Sequence, residues 1–462
     1  MKFIYIFLFV SLFLNIDILY SASLSINYEY RLRGLSYPNL DFDMTTNDDA
    51  KAYYTQRMNF MITGKFEPNI EIYTKIQSIG IVNSTFTLKD YDWQKEYPYP
   101  KTDFTPFIEN AYFKVKKIGQ LPVDVVIGKQ PIEYGTGLIV SDNGAGFNAL
   151  KFIVDYPKIL DHTLHTEIFT AKIIDNFRKD SDFDLYGSVF SYLYKENNFE
   201  ISYFEEKDDS KTVYKGRPII SENSTIIYEA QTKNITRKFY EFRLFRETEI
   251  SYLNIEYIIG RGNIVKEDDS KINLNNYAWL VSGYLIGEKT RLGKVTAKLT
   301  LSGSSGDDLI NQIVDDDESF SPTFRKRFDG LERIGWGKIF SSNFTDTFFD
   351  VSQNNFSGFG VIALEVFFTP WYGWNFNISN FLYSASNTFL HKGATETSKF
   401  EKLYLGQQYN LGAEMDLGLN YVYSKYLEFS FGFSRYTPPS YAGVWPKHNT
   451  VELYSFETIT RF

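Results

Sequence analysis

The sequence predicts an all-β chain: one transmembrane, antiparallel, up-and-down β-barrel of about 18 strands. Three observations predict it. The first is the run Tyr409–Phe462. Leu411, Ala413, Met415, Leu417, Leu419 and Tyr421 alternate with Asn410, Gly412, Glu414, Asp416, Gly418 and Asn420. A period of two gives a strand one apolar face and one wet face. Leu427, Phe429, Phe431 and Phe433 repeat the pattern, and a last run carries Tyr454, Phe456 and the terminal Phe462. The second observation is composition. Of 462 residues, 42 are Phe and 35 are Tyr, while charged residues reach 23%. Aromatic girdles at two membrane interfaces use rings in that way. Past the N-terminus no stretch holds the roughly 18 uninterrupted apolar residues of a membrane helix. The third is that short and long connections alternate along the chain.

The N-terminus reads as a secretory leader. Lys2 is the positive region, Phe3 to Leu14 the apolar one, and Ser21, Ala22 and Ser23 offer a cleavage site. This assigns 1–23 to a signal peptide and 24–462 to the barrel. Strands are expected at 24–36, 51–64, 69–83, 106–118, 122–130, 146–154, 162–174, 182–195, 198–206, 237–247, 249–260, 275–287, 292–303, 357–369, 374–385, 408–423, 426–437 and 450–462. Short links such as Lys65–Pro68, Glu196–Asn197 and Ser424–Lys425 fit tight periplasmic turns. Longer links, 131–145, 207–236, 261–274 and 304–356 among them, fit outer loops. Alternation begins at once with Ile26, Tyr28, Tyr30 and Leu32, leaving no plug domain before the first strand. The expected place is the outer membrane of a Gram-negative-type cell. Its lipid and lipopolysaccharide are then partners, and the strand ending in Phe462 is the handle for the barrel-assembly machinery.

Several chemistries are unsupported. There is no Cys, so thiol catalysis, Cys-ligated metal and disulfides are excluded. A net charge of -9 lacks the basic stripe of a nucleic-acid binder. His162 and His165 stand three apart, which on a strand sets them on opposite faces, unsuited to one metal ion. No Gly-rich phosphate loop and no Gly-x-Ser-x-Gly elbow occurs. No enzyme, cofactor or metal is expected. Acidic clusters such as Asp208-Asp209 and Asp315–Glu318 read as solvated outer loop.

About 18 strands enclose an interior too wide for side chains to fill. Function therefore belongs to the lumen and to loops that enter it. Alternation places Arg31, Arg33, Arg57, Lys75, Arg243, Lys294 and Lys298 on polar faces. Glu29, Glu71, Glu200, Glu241, Glu256, Glu414, Asp416 and Glu428 are the acidic counterparts. Rings of one sign would select by charge, but both signs occur in similar number. Lys129, Gln130 and Tyr134 flank a Gly-rich turn, Gly135-Thr136-Gly137, that suits a segment folded into the pore.

Gly128-Lys129-Gln130, then Tyr134-Gly135-Thr136-Gly137, then Gly146-Phe147-Asn148-Ala149-Leu150 resemble the Gly-Arg-Gln … Tyr-Gly … Phe-Asp-Gly signature of the alginate-export family of porins. Leu411–Leu417 resembles that family's penultimate hairpin, and Glu109-Asn110-Ala111-Tyr112 its Glu-Ala-Tyr strand with one Asn inserted. The resemblance implies an 18-stranded outer-membrane channel for polysaccharide or small anionic solutes. Lys129 in place of Arg and Asn148 in place of Asp depart from it, and Lys lacks the bidentate grip of Arg on a carboxylate. The functional expectation is a passive, selective porin for small solutes or saccharides. In the alternative, a surface adhesin or scaffold barrel, loops block the pore.

Overall fold

The computed structural model describes residues 22–38, 51–66, 69–82, 104, 106–118, 121–157, 161–174, 182–210, 213–221, 224–306, 316–326, 328–329, 332–339, 358–385, 409–437 and 450–462. The leader at 1–21 and most of the expected loops 37–50, 84–105, 386–407 and 438–449 lie outside these residues.

The strands are β1 (Ser23–Tyr37), β2 (Lys51–Phe66), β3 (Ile70–Val82), β4 (Phe107–Val115), β5 (Val123–Gln130), β6 (Phe147–Asp155), β7 (His162–Ile174), β8 (Phe183–Tyr194), β9 (Asn197–Asp208), β10 (Val213–Ser221) and β11 (Ser224–Glu247). They continue with β12 (Ser251–Lys266), β13 (Lys271–Thr290), β14 (Gly293–Ser304), the two-residue pieces β15 (Asp316–Asp317), β16 (Phe328–Asp329) and β17 (Glu332–Arg333), then β18 (Phe359–Thr369), β19 (Trp374–Ala385), β20 (Tyr409–Ser424), β21 (Leu427–Thr437) and β22 (Val451–Arg461). Strands β1–β9, β11–β14 and β18–β22 pair antiparallel in sequence order, and β22 pairs back onto β1. The result is a closed 18-stranded barrel. Every expected strand has its counterpart.

Closure is direct. Tyr28 and Phe462 exchange both backbone hydrogen bonds at 2.9 Å. The Phe462 ring packs beside Tyr28 and Tyr426, with centroids 6.2 Å away in both cases. Arg461 reaches Glu29 at 3.0 Å and Glu428 at 2.8 Å. A sheet closed in this way has no edge, so each wall strand's backbone groups are satisfied by its two neighbours.

The wall is inside-out relative to a soluble protein. On β1, Leu24 and Ile26 face outward and are 68% and 54% exposed, whereas Arg31 faces inward and is 7% exposed. Around the outside, Val115, Val125, Phe152, Ile168, Ser188, Tyr203 and Tyr240 are register neighbours on β4 to β11. A continuous apolar band of this kind is stable only against lipid. His162 belongs to the outer set, stacked on Tyr194 at 4.8 Å, while His165 points inward to Glu167.

The expected lengths fail at one place. The links 207–236 and 261–274 are largely strand: β11 runs for 24 residues and β13 for 20. Beyond the bilayer the outward face of a strand meets water instead of lipid, so its apolar belt ends, with Lys271, Asn273 and Asn275 exposed on β13, while the backbone ladder continues. Ile235, Ile264, Ile272 and Leu274 form a small separate core there, and β15 pairs parallel to β13 beside it.

Removing Phe462 deletes two ladder bonds and both ring contacts at the seam. The fraction migrating as a heat-modifiable folded barrel on cold gel electrophoresis should fall several-fold; an unchanged fraction would contradict this closure.

Candidate functional site

The lumen-facing residues divide by wall. On β1–β6 the bases and acids interdigitate. Arg33 bonds Glu457 at 2.7 Å, Arg57 lies 3.9 Å from Glu29, Lys75 bonds Glu109 at 2.8 Å and Lys114 bonds Asp124 at 2.9 Å. Arg31 sits 3.8 Å from Glu457. Across the barrel, Glu200, Glu241 and Glu256 gather around Arg243, which approaches Glu256 to 3.2 Å and Glu200 to 3.8 Å. One Glu241 oxygen, Oε2, is buried with no hydrogen-bond partner among the described residues. Lys298 pairs with Glu365 at 2.6 Å, and Lys294, in step with it, is exposed near the short-turn mouth.

Three expected pore residues do not line an open lumen. Lys129 is in step with Ile127 on the outward set of β5, opposite exposed Ala111 and Asn148, and its Nζ donates to the Ile108 carbonyl at 2.8 Å. Gln130 does face inward but is 1% exposed, donating at 2.9 Å to the Ala149 carbonyl. Glu414 is 2% exposed rather than part of an open wall. The corrections for Gln130 and Glu414 share one cause: alternation gives the face, while the loops that cover a face come from distant sequence. Lys129 departs because the outer face carries charge again at the rim.

Those loops define the site. Residues 131–146 turn into the lumen. Ile132, Ile139 and Val140 are buried there. The Tyr134 ring stacks on Phe169 at 5.6 Å and packs near Phe204, and its hydroxyl donates to Glu167 at 2.5 Å. Burial and that carboxylate raise the Tyr134 pKa. Thr136 donates to Glu256 at 2.7 Å. Gly135, at φ 58, lies so close to Glu241 that a Cβ would come within 2.7 Å of its carboxylate. Only glycine fits such a position easily. Burial, with Glu109 and Glu133 nearby, pushes the Asp142 carboxyl up to about 6.

Segments 316–326 and 332–339 enter from the other side. Glu206 on β9 accepts from the Thr323 backbone at 2.9 Å and from its hydroxyl at 2.5 Å, and lies 3.4 Å from Arg237. Glu414 on β20 accepts from the backbone N–H groups of Lys338 and Ile339 at 2.6 and 2.7 Å, and from the Tyr383 hydroxyl at 3.0 Å. Gly337, at φ 79, permits that close approach. The two insertions are also joined to each other. Lys326 N–H donates to the Gly137 carbonyl and Ser141 N–H to the Phe324 carbonyl, both at 2.7 Å. The Lys326 ammonium pairs with Glu133 at 2.7 Å. The waist of the barrel is therefore narrowed by two loops clamped to wall carboxylates. Asp416, 6% exposed, lies beside Glu414 under this clamp.

Glu109, Glu167, Glu206, Lys114 and Lys151 were not among the sequence-derived candidates. Glu206 was readable, since it stands in step with Glu200 and Ser202. Glu109 was not, because a register shift between Lys75 and Ile76 turns both Glu109 and Asn110 inward.

No protein-family model matches the chain, and no curated protein matches it. Solved structures do. OccAB3 of Acinetobacter baumannii is 12% identical with a TM-score of 0.51, covering 95% of this chain and 99% of its own. OpdQ of Pseudomonas aeruginosa is 11% identical with a TM-score of 0.50, covering 96% and 98%. OccAB1 of A. baumannii is 10% identical with a TM-score of 0.50, covering 95% and 96%. The shared property is the fold, an 18-stranded barrel of outer-membrane porin type.

Each charged hydrogen bond to a clamp carboxylate is worth about 1.5–3 kcal/mol. Glu414→Ala should free segment 332–339, and the single-channel conductance and its open-state noise should both rise. A second substitution reaches the other loop. A Cβ on Gly187 would come within 2.1 Å of the Phe169 ring, which carries Tyr134. Gly187→Val should displace that ring and raise the conductance as well. Parental traces from both variants would remove the loops from the conduction path.

Proposed function

We propose that this chain is an outer-membrane porin, a passive and substrate-selective channel in a Gram-negative-type cell. The long loops face outside and both termini face the periplasm. The observation that carries the reading is a closed barrel with a charged lumen whose waist is narrowed by two inward loops clamped to Glu206, Glu256 and Glu414. A structural plug has no need of charged walls, and a soluble sandwich has no use for an apolar belt. Solutes move down their own gradient, and the waist sets the size limit.

The waist also sets a sign preference. Among the described residues there, Glu133, Asp142, Glu167, Glu200, Glu206, Glu241, Glu256, Glu414 and Asp416 outnumber Lys151, Arg237, Arg243, Arg325, Lys326 and Lys338. A carboxylate excess in a narrow, low-dielectric passage favours cations. The alginate-export resemblance suggests saccharides as the finer substrate class. Two tyrosine pairs near the short-turn mouth support it: Tyr73 with Tyr112 and Tyr252 with Tyr284, each with centroids 5.2 Å apart on the lumen face. Such rings offer flat apolar surface to a sugar ring.

The loop-to-loop and loop-to-wall bonds also favour a second reading, a scaffold barrel with a blocked pore whose long β11–β13 arm carries the function. Planar-bilayer recording of purified protein separates the two. The porin reading predicts discrete steps, and a reversal potential in a salt gradient with potassium preferred over chloride. Absence of steps from folded protein would replace it with the scaffold reading. Chloride preference would overturn the assignment of sign alone.

A further inference from the structure

A feature of the outer wall lies apart from the lumen. At the long-loop end, Lys129 on β5, Asn148 on β6, Lys172 on β7, Asp184 on β8 and Lys207 on β9 are register neighbours, all facing outward. The lysines occupy alternate strands and so recur about every 10 Å around the wall. One row nearer the bilayer centre come Leu150, Thr170, Tyr186, Glu205 and Lys238. Directly below the charged row the wall is hollowed into a groove of about 300 Å³. Its floor is small, Thr170 and Ser188, and its sides are Leu150, Phe152, Ile168 and the Tyr186 and Tyr203 rings. Ile168, Phe152 and Tyr186 are 53%, 42% and 39% exposed.

We propose that this is a binding site for one phosphorylated glycolipid of the outer leaflet, a lipid A-type molecule. An acyl chain would lie in the groove and the phosphates on the lysine row above it. The leaflet assignment rests on the outer-membrane reading; the site itself rests on the register. An apolar trough ending in a row of ammonium groups matches an amphiphile with an anionic head. It does not match a plain hydrocarbon neighbour, which needs no charge. The row is not purely basic. Lys172 pairs with Asp182 at 2.6 Å and Asp184 at 3.0 Å, Lys207 with Asp209 at 3.3 Å, and Lys238 with Glu205 at 3.8 Å. Interleaved carboxylates suit a head carrying more than one phosphate, because a divalent cation bridges carboxylate to phosphate while the lysines bind phosphate directly. A single-phosphate lipid fills only part of this pattern. The same row accounts for Lys129, which its place beside the Gly-rich turn had suggested for the pore.

The test is native mass spectrometry of the full-length chain in detergent with magnesium. Diphosphorylated lipid A, dephosphorylated lipid A and phosphatidylglycerol are added in turn. Diphosphorylated lipid A should be retained at least tenfold better than either competitor. Lys172→Glu with Lys207→Glu should remove that advantage, and Thr170→Trp with Ser188→Trp should lower retention of every acylated lipid. Single-channel conductance of the variants should equal that of the parent, showing an intact barrel. Equal retention of the three lipids, or unaltered lipid A retention by both double variants, would overturn the proposal. So would cross-linking that places a second copy of the chain on this face. Loss of conductance in the parent itself would instead count against the porin reading.

Discussion

A backbone in lipid has no water to bond, so the ladder must close on itself. The bonds between Tyr28 and Phe462 complete that closure, and much else follows from it. Closure fixes which neighbours each strand has. Neighbours fix the register, and register fixes which residue of each pair faces lipid and which faces the lumen. A shift of one residue at the β1–β22 seam would put Arg31 and Arg33 into the bilayer and Leu32 into the pore. The salt bridges of Arg33 with Glu457 and of Arg461 with Glu29 are lumen-side locks on the same register.

Given that wall, the carboxylates of the interior serve two ends. Some, such as Glu29, Glu109 and Asp124, neutralise bases one strand away. Others hold loops. Glu206 and Glu414 each accept several hydrogen bonds from a segment more than 70 residues away in sequence, as their bonds to Thr323, Lys338 and Ile339 show. A carboxylate is well suited to this work because it accepts from several N–H and O–H donors at once. The cost is that a clamp residue is withdrawn from contact with solute. Under the proposed function, selectivity falls to wall carboxylates that no loop clamps, such as Glu200 beside Arg243.

Strand positions were legible because a membrane wall enforces alternation more strictly than a soluble core. Lipid lies on one side and water on the other along each crossing. Legibility ended where that contrast ended. The outer parts of β11 and β13 read as loop because their outward face meets water and carries polar residues in place of the apolar belt, as Lys271, Asn273 and Asn275 do. The facing of Arg31, Arg57 and Lys298 could be read from a few residues of their own strands. The role of Glu414 could not, since Lys338 and Ile339 lie in a loop with no periodic pattern. Lys129 failed for a different reason. At the rim the outer face carries charge again, so a basic residue no longer marks the lumen. Recognition from short motifs was coarser still: it reached the barrel and not a family.

Wall carboxylates dock segments 316–326 and 332–339 inside the barrel. The chain has no cysteine of its own, so a single one placed at Ile339, a fully buried position, reports on docking without background. The direct measurement is the rate at which a water-soluble thiol reagent modifies Ile339→Cys in the folded barrel, with and without Glu414→Ala. Docking predicts modification at least tenfold slower than at an exposed rim position such as Tyr372→Cys, and recovery of most of that rate when Glu414 is removed. Equally fast modification in both backgrounds would contradict it.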